Sequence, residues 1–177
     1  MMKLGLKRDE VKLVPYTSEW NREFLTVKQE VINTAHIEGN RIEHIGSTAI
    51  MDMDAKPIID LLIGVDDITS VDASIIKGLQ TVGFLRLRVE RPGEIVFAKF
   101  LDETYEVKTH YIHLVDYDKE LWSNLIFFRD YLIANESARE EYKKLKIAYA
   151  ERENMKITEY TDLKEPFVKS IYEKRKS

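Results

Sequence analysis

The chain has 177 residues, with 27 basic and 31 acidic side chains, a formal net charge of −4 and no cysteine. This length predicts a single domain over residues 1–177, and the absence of cysteine excludes disulfides, thiolate metal sites and cysteine nucleophiles. The nearly balanced charge argues against nucleic acid as a partner, because proteins that bind nucleic acid usually carry a strongly basic surface.

The first predicted elements are a short strand and an amphipathic helix. Residues 1–8 contain no apolar stretch suited to a signal peptide, and no run approaches the roughly 20 apolar residues that span a bilayer. We therefore expect a cytoplasmic protein with no membrane partner. Residues 11–16 alternate in polarity and predict a strand, after which Thr17 or Ser18 can cap a helix that ends near residues 39–40. The apolar stripe of this helix is Trp20, Phe24, Val27, Val31 and Ala35.

Strands dominate the next part of the chain, up to residue 115. Residues 57–65 form an almost unbroken apolar run around one aspartate, which is typical of a strand covered on both faces. We therefore place this strand at the centre of the sheet. The remaining core elements are predicted as strands over residues 41–45, 84–89, 94–100 and 105–115 and a helix over residues 71–82.

The last part of the chain, over residues 117–175, contains three predicted helices with apolar stripes. Its mixed-charge runs, such as residues 136–146, indicate helix faces exposed to water. Together with a core over residues 11–115, these helices predict an α+β fold. In that fold a small mixed β-sheet is flanked by helices and followed by C-terminal helices.

A glycine-serine turn followed by a lone aspartate is the most unusual feature of the sequence. The residues Gly46, Ser47 and Thr48 follow the predicted strand over residues 41–45, and Asp60 lies inside the apolar run. Such a turn lets backbone N–H groups approach an anion closely, and the two hydroxyls add donors, so it predicts a phosphate cradle. An ionised aspartate in an apolar strand needs a metal, a cation or hydrogen bonds. The structural alternative is an ordinary turn and an aspartate near a strand end.

Cations near the predicted strands are candidates for holding the phosphate. Arg86 and Arg88 share one face of a strand because of their two-residue spacing, and guanidinium groups bind phosphate oxygens bidentately. Lys56 immediately precedes the central strand. The alternative is that these side chains form a solvated surface.

Histidines supply candidate metal ligands and proton carriers. His113 lies in the predicted strand over residues 105–115, and His44 comes just before the glycine-serine turn. Neutral imidazole binds transition metals, so these two histidines and Asp60 predict a mixed nitrogen and oxygen metal site. The alternative for His113 is a packed strand histidine that hydrogen-bonds to backbone.

Several segments of the chain resemble the GrpB family, which is placed in the polymerase-β-like nucleotidyltransferase superfamily. The most specific are HIGSTAI at residues 44–50 and AKPIIDLLIGV at residues 55–65. Supporting matches occur in the same order along nearly the whole chain: VPYTSEW at residues 14–20, YIHLV at residues 111–115 and YTDLKEPFV at residues 160–168.

The resemblance implies a nucleotidyltransferase-like fold in which the Gly46-Ser47 turn faces Asp60. It also implies that Asp60 holds Mg²⁺ or another divalent metal, that His113 occupies a family position, and that Lys164 approaches the pocket. Active members of the superfamily carry a second carboxylate two residues after the first, and this chain has Leu62 there. Candidate replacements are Glu94 and Glu106 on predicted neighbouring strands and Asp52 or Asp54 in the connecting loop. For Glu106 the favoured alternative is a solvent-facing position beside Lys108.

Three functions follow from the resemblance and the residues. The first is a protein that binds a nucleotide, or another phosphate ligand such as coenzyme A, on a fold whose metal-binding acids are incomplete; related domains occur fused to dephospho-coenzyme A kinase. The second is an active metal-dependent nucleotidyltransferase. The third is a metal-dependent hydrolase that uses His44, His113 and Asp60. The absence of an acid at Leu62 places ligand binding first. The sequence does not specify an oligomeric state.

Overall fold

One mixed β-sheet organises the chain in a computed structural model that describes residues 2–177. Within those residues the strands are β1 (Leu6–Lys7), β2 (Ile42–Ile45), β3 (Ile59–Val65), β4 (Phe84–Arg86), β5 (Glu94–Phe100) and β6 (Val107–Asp116). The strand order is β2-β3-β6-β5-β4, and β1 also pairs with β6. The β3 and β6 pair is parallel, whereas the other pairs are antiparallel.

Five α-helices flank this sheet in the described part of the chain. They are α1 (Glu19–Ala35), α2 (Ala73–Thr81), α3 (Glu120–Ala134), α4 (Glu136–Ala150) and α5 (Ile157–Arg175). The predicted α+β class, with a small mixed sheet and C-terminal helices, is therefore confirmed.

The central strand β3 is covered on both faces, as its apolar run predicts. On one face, Leu61 and its alternate neighbours pack against the apolar stripe of α1 in the main core. On the other face, Leu62 packs against Ile45, Val115 and Trp122. Because successive residues of a strand point to opposite faces, Asp60 shares the face of Leu62. That face is the side covered by the C-terminal helices.

A second apolar cluster fastens the C-terminal helices to the segment between β2 and β3. Ile50 and Met53 of that segment pack with Phe128 of α3, Tyr142 of α4 and Phe167 of α5. The rings of Tyr142 and Phe167 are stacked with their centroids 4.8 Å apart. This cluster holds the helices against the segment that follows the glycine-serine turn.

Several predicted element boundaries differ from the structure. The predicted strand over residues 11–16 is reduced to a single bridge between Val14 and Ala55, since Pro15 lacks an N–H for a ladder. The first helix ends at Ala35, where His36 adopts a left-handed conformation, before the predicted stop at residues 39–40. Strand β1 had no sequence signal, because it contains only two residues.

Candidate functional site

The glycine-serine turn lies directly against Asp60. Antiparallel pairing of β2 with β3 places Ile45 opposite Asp60, so the turn begins beside the carboxylate. Gly46 has φ of 75°, and a Cβ atom at that position would lie 2.7 Å from Asp60 Oδ2. The three residues that follow, Ser47–Ala49, form a single 3₁₀ turn. The structure thus brings the predicted turn and the predicted aspartate together.

The contact between Gly46 and Asp60 gives a stability prediction with an internal control. Gly46→Ala should lower the free energy of unfolding by about 2 kcal/mol, because a side chain at positive φ is strained and its Cβ meets the carboxylate. Gly93 has φ of 74°, but a Cβ atom there would meet nothing within 4 Å, so Gly93→Ala should cost only about 1 kcal/mol. Urea unfolding measures both, and equal losses would show that the contact with Asp60 has no energetic effect.

An imidazole group, rather than a second acid, is the direct partner of Asp60. His113 Nε2 donates to Asp60 Oδ1 at 3.2 Å, and His113 Nδ1 donates to Glu94 Oε1 at 2.8 Å. Burial opposes protonation of this ring, but the hydrogen bonds and charges of the two carboxylates outweigh it and raise the pKa of His113 to about 9. At neutral pH the ring is therefore an imidazolium between two carboxylates.

The donor set around Asp60 does not suit a divalent metal. Both nitrogens of His113 donate to carboxylates, so neither offers a lone pair. Leu62, at the second carboxylate position, is fully buried among apolar side chains. Mg²⁺ requires an octahedral set of oxygen ligands, and one carboxylate bonded to an imidazolium does not provide it. Within residues 2–177 no group of three or more histidine, aspartate or glutamate side chains is placed to hold a metal ion.

His44 does not join Asp60 and His113, so the predicted three-residue metal site is not formed. His44 pairs with Leu61 in the sheet and therefore points to the α1 face, where its ring stacks on Phe24 at 4.8 Å. Its Nε2 is hydrogen-bonded with Thr48 Oγ1 at 2.9 Å. Burial lowers the pKa of His44 to about 4. His44 is thus packed against α1 and bonded to Thr48, on the face of the sheet opposite Asp60.

A cavity of about 150 Å³ opens between the glycine-serine turn and the C-terminal helices. Its walls combine the turn and Asp60 with lysine and aromatic side chains of the loop before β3 and of α3, α4 and α5. The residues that form them include Gly46, Ser47, Thr48, Lys56, Asp60, Tyr111, Phe128, Tyr142, Lys146, Tyr160 and Lys164. Five residues predicted to bind a phosphate ligand therefore line one cavity: Gly46, Ser47, Thr48, Lys56 and Lys164.

Lys146 is the deepest cation of this cavity, with 1% of its surface exposed. Its Nζ donates to Ser47 Oγ at 2.7 Å and to the Asp54 carbonyl oxygen at 2.6 Å. Burial, together with the charges of neighbouring lysines, lowers the pKa of Lys146 well below its ordinary value. The predicted water-facing surface over residues 136–146 is thus wrong at Lys146.

Lys56 and Lys164 both lie over the ring of Tyr160. Their Nζ atoms lie 5.5 Å and 4.5 Å from the ring centroid, respectively. Burial lowers the pKa of both lysines, and for Lys164 the charge of Lys56 adds to the effect and brings the pKa to about 7, although Asp60 opposes it. The cavity therefore holds clustered amines whose positive charge a bound anion would balance.

The two arginines predicted to bind phosphate lie elsewhere. Arg86 pairs with Phe97 on the α1 face of the sheet, and Arg88 follows the end of β4. Both are partly or largely exposed, and neither lines the cavity. Their two-residue spacing predicted a shared face, but the sheet register turns Arg86 away from Asp60. They match the alternative of a solvated surface.

The sequence did not single out the acid of this site, and it missed the cavity residues of the C-terminal helices other than Lys164. Glu106 is exposed and precedes β6, whereas Glu94 is the acid bonded to His113. Tyr142 had only a helical apolar spacing, which predicts burial but not a site, and Lys146 lay in a charged run that predicts exposure to water. Tyr160 entered only as part of the matching segment at residues 160–168.

The chain matches known proteins over nearly its whole length. The model of the GrpB protein family matches residues 10–174. The glutamate-rich protein GrpB of Alkalihalophilus pseudofirmus is 38% identical over 169 residues, which cover 95% of this chain and 97% of that protein. A dephospho-CoA kinase of Mycolicibacterium paratuberculosis is 26% identical over 94% of this chain, but the match spans only 46% of the kinase.

A solved structure supports the same relationship. The crystal structure of the conserved protein GrpB from Enterococcus faecalis matches with a TM-score of 0.76 and 26% sequence identity. The match covers 92% of this chain and 96% of the other. As for membranes, the described residues 2–177 include no helix with the length and apolar character needed to cross one.

Proposed function

The chain belongs to the GrpB family, and we propose that it binds a small phosphate-bearing ligand in the lysine-lined cavity without a divalent ion at Asp60. The family's resemblance to polymerase-β-like nucleotidyltransferases implies that phosphate is bound at the glycine-serine turn. The cavity of this chain supports such a role with its own side chains, because Lys56, Lys146 and Lys164 all line it.

The observation that carries this proposal is a cluster of lysines without acidic partners. Among residues 2–177, the ion pairs within 4.0 Å leave out all three cavity lysines. The one cavity carboxylate, Asp60, is already bonded to the His113 imidazolium. Buried amines without counter-charges are costly when ionised. A phosphate group supplies that charge, so the lysine cluster favours an anionic ligand.

The cavity volume limits how much of the ligand lies inside. A cavity of about 150 Å³ accommodates a molecule of roughly the size of benzene, whereas sites that enclose whole drug-sized ligands measure about 300–1,000 Å³. A nucleotide or coenzyme A would therefore insert a phosphate and its nearest atoms and leave the remainder outside. The likeness to a dephospho-CoA kinase makes coenzyme A a reasonable probe.

The two metal-dependent alternatives have less support. Nucleotidyl transfer through bound ions requires at least two free carboxylates. This chain has Leu62 at the second carboxylate position, and the His113 imidazolium is bonded to Asp60. The hydrolase alternative needs His44 beside Asp60, and His44 lies on the other face of the sheet. Ligand binding that uses the chain's own cations is consistent with all of these placements.

Calorimetric titration tests the proposal with pyrophosphate, ATP and coenzyme A, each with Mg²⁺ and with EDTA. We expect at least one of these ligands to bind, with an affinity that EDTA does not reduce. Lys56→Gln should weaken that binding about tenfold, which corresponds to about 1.4 kcal/mol, because a charged donor to phosphate is removed.

The matched control is Lys144→Gln, since Lys144 is an exposed lysine of the same chain. It should leave the affinity unchanged. Equal weakening by both variants would point to general surface charge, and binding seen only with Mg²⁺ would favour the nucleotidyltransferase alternative. No heat with any of the three ligands would contradict the proposal.

A further inference from the structure

The amine of Lys164 lies in the cavity wall, where it has the surroundings of a nucleophile as well as those of a cation. Its Nζ lies 4.5 Å from the centroid of the Tyr160 ring, beside Lys56, in the wall of the cavity. In contrast to Lys146, it is absent from the side-chain hydrogen bonds and ion pairs within residues 2–177. The nitrogen is therefore not committed to a partner within the described chain.

The surroundings of Lys164 favour its uncharged form. Lysines become nucleophilic when they are desolvated or lie next to another cation, because both effects disfavour the ammonium form. Burial is the larger effect here, and Lys56 adds to it, so that the pKa of Lys164 falls to about 7. At neutral pH about half of these amines carry a lone pair, against roughly 0.04% for an ordinary lysine of pKa about 10.4.

We propose that Lys164 captures a phosphorylated aldehyde or ketone as a reversible imine, with the phosphate held by Lys56 and Lys146. This inference rests on the proposed phosphate site and adds a covalent step to it. A compact phosphorylated carbonyl compound suits a cavity of about 150 Å³ better than a whole nucleotide does.

The covalent step needs no further reactant. The lone pair of Nζ forms a bond to the carbonyl carbon, and the C=O π pair moves to the oxygen, which gives a carbinolamine. The two hydrogens of the neutral amine then leave with that oxygen as water, and a C=N double bond forms. Asp60 is the one carboxylate among the residues that line this cavity, and the inference assigns it the transfer of these protons. Hydrolysis of the imine reverses the step.

Borohydride trapping tests this inference on the whole chain. The probe is dihydroxyacetone phosphate, and dihydroxyacetone serves as the phosphate-free comparison. After reduction, peptide mapping should place a single adduct on Lys164, with at least tenfold higher occupancy than on exposed Lys144. The phosphate-free compound should label at least tenfold less, and excess pyrophosphate should suppress labelling. The initial rate of labelling should rise with pH, with a midpoint near the pKa of about 7.

Lys164→Arg is the matched variant, because arginine keeps a positive charge but does not form this imine. It should abolish the adduct while the circular dichroism spectrum stays that of the unaltered protein. Labelling spread evenly over surface lysines would overturn the inference, and so would labelling that is unchanged in the variant. If the variant misfolds, peptide mapping of the unaltered protein still shows whether the label is on Lys164 or spread over the surface. Pyrophosphate binding without any adduct would overturn the imine but leave the proposed function standing. If neither pyrophosphate binding nor an adduct is seen, both the proposed function and the imine are contradicted.

Discussion

Replacement of His113 by glutamine is expected to lower the free energy of unfolding by about 3 kcal/mol near pH 6 and by much less above pH 9. The reason is the raised pKa of about 9 for His113 in the folded chain, against an ordinary value of 6.5. A shift of one pKa unit corresponds to about 1.4 kcal/mol. A group with a raised pKa stabilises the fold fully below its unfolded value. That contribution is lost as the pH rises from about 6.5 to about 9.

Urea unfolding of both proteins at several pH values between 6 and 10 measures this effect. The difference between variant and unaltered protein is the relevant quantity, because other groups of the cavity also titrate in that range. His36→Gln is the control, since His36 is exposed at the end of α1, and its curve should run parallel to that of the unaltered protein. A constant difference between the His113 variant and the unaltered protein at all pH values would contradict the imidazolium assignment. So would an NMR titration midpoint for His113 at or below 6.5.

The part of the site that the sequence predicts, the glycine-serine turn and the strand that carries Asp60, is the part whose structure follows from local sequence patterns. The apolar run of β3 indicated a strand covered on both faces, and the small residues after β2 indicated a tight turn. Each of these patterns is contained in the same short segment whose structure it predicts. Antiparallel pairing of Ile45 with Asp60 then brings the turn to the carboxylate through contacts between these two strands.

The other half depends on distant contacts that leave no local trace. Lys146 contacts Ser47 across 99 positions of the chain, and it ends a run of charged residues along its helix. Local patterning predicts a solvated helix face there, whereas tertiary packing buries this one lysine against the turn. The pattern of charged residues along the helix does not distinguish a lysine that is buried by tertiary contacts from one that stays exposed.

The acid beside His113 illustrates a third limit, which is strand register. Glu94 and Glu106 both lay near candidate strands. The pairing of Val96 with His113 brings Glu94 within reach of the imidazole, and a register shift at Lys99 and Phe100 changes the pairing nearer the hairpin. Since a single inserted residue moves side chains to the other face, composition alone does not distinguish the two acids.

Leu62→Asp restores the superfamily's second carboxylate, and we expect it to unfold the site rather than to create a metal centre. Leu62 is fully buried against Ile45, Val115 and Trp122, so an aspartate there would be desolvated. Its neighbours in the sheet register are Glu43, which has the same charge, and His113, whose two ring nitrogens already bond Asp60 and Glu94. The expected loss is about 4 kcal/mol in the free energy of unfolding. Thermal and urea unfolding, each with Mg²⁺ and with EDTA, measure it.

The control for this substitution is Leu101→Asp, because Leu101 is 61% exposed and should tolerate a charge within about 0.5 kcal/mol. Mg²⁺ should stabilise the Leu62 variant no more than it stabilises the unaltered protein. His113 still occupies one oxygen of Asp60 in that variant, and the acid next to position 62 in the sheet register, Glu43, is bonded to Arg129. A Mg²⁺-dependent recovery of stability confined to Leu62→Asp would show that this face of β3 can hold a divalent ion. It would thereby contradict binding of phosphate by the chain's own cations alone.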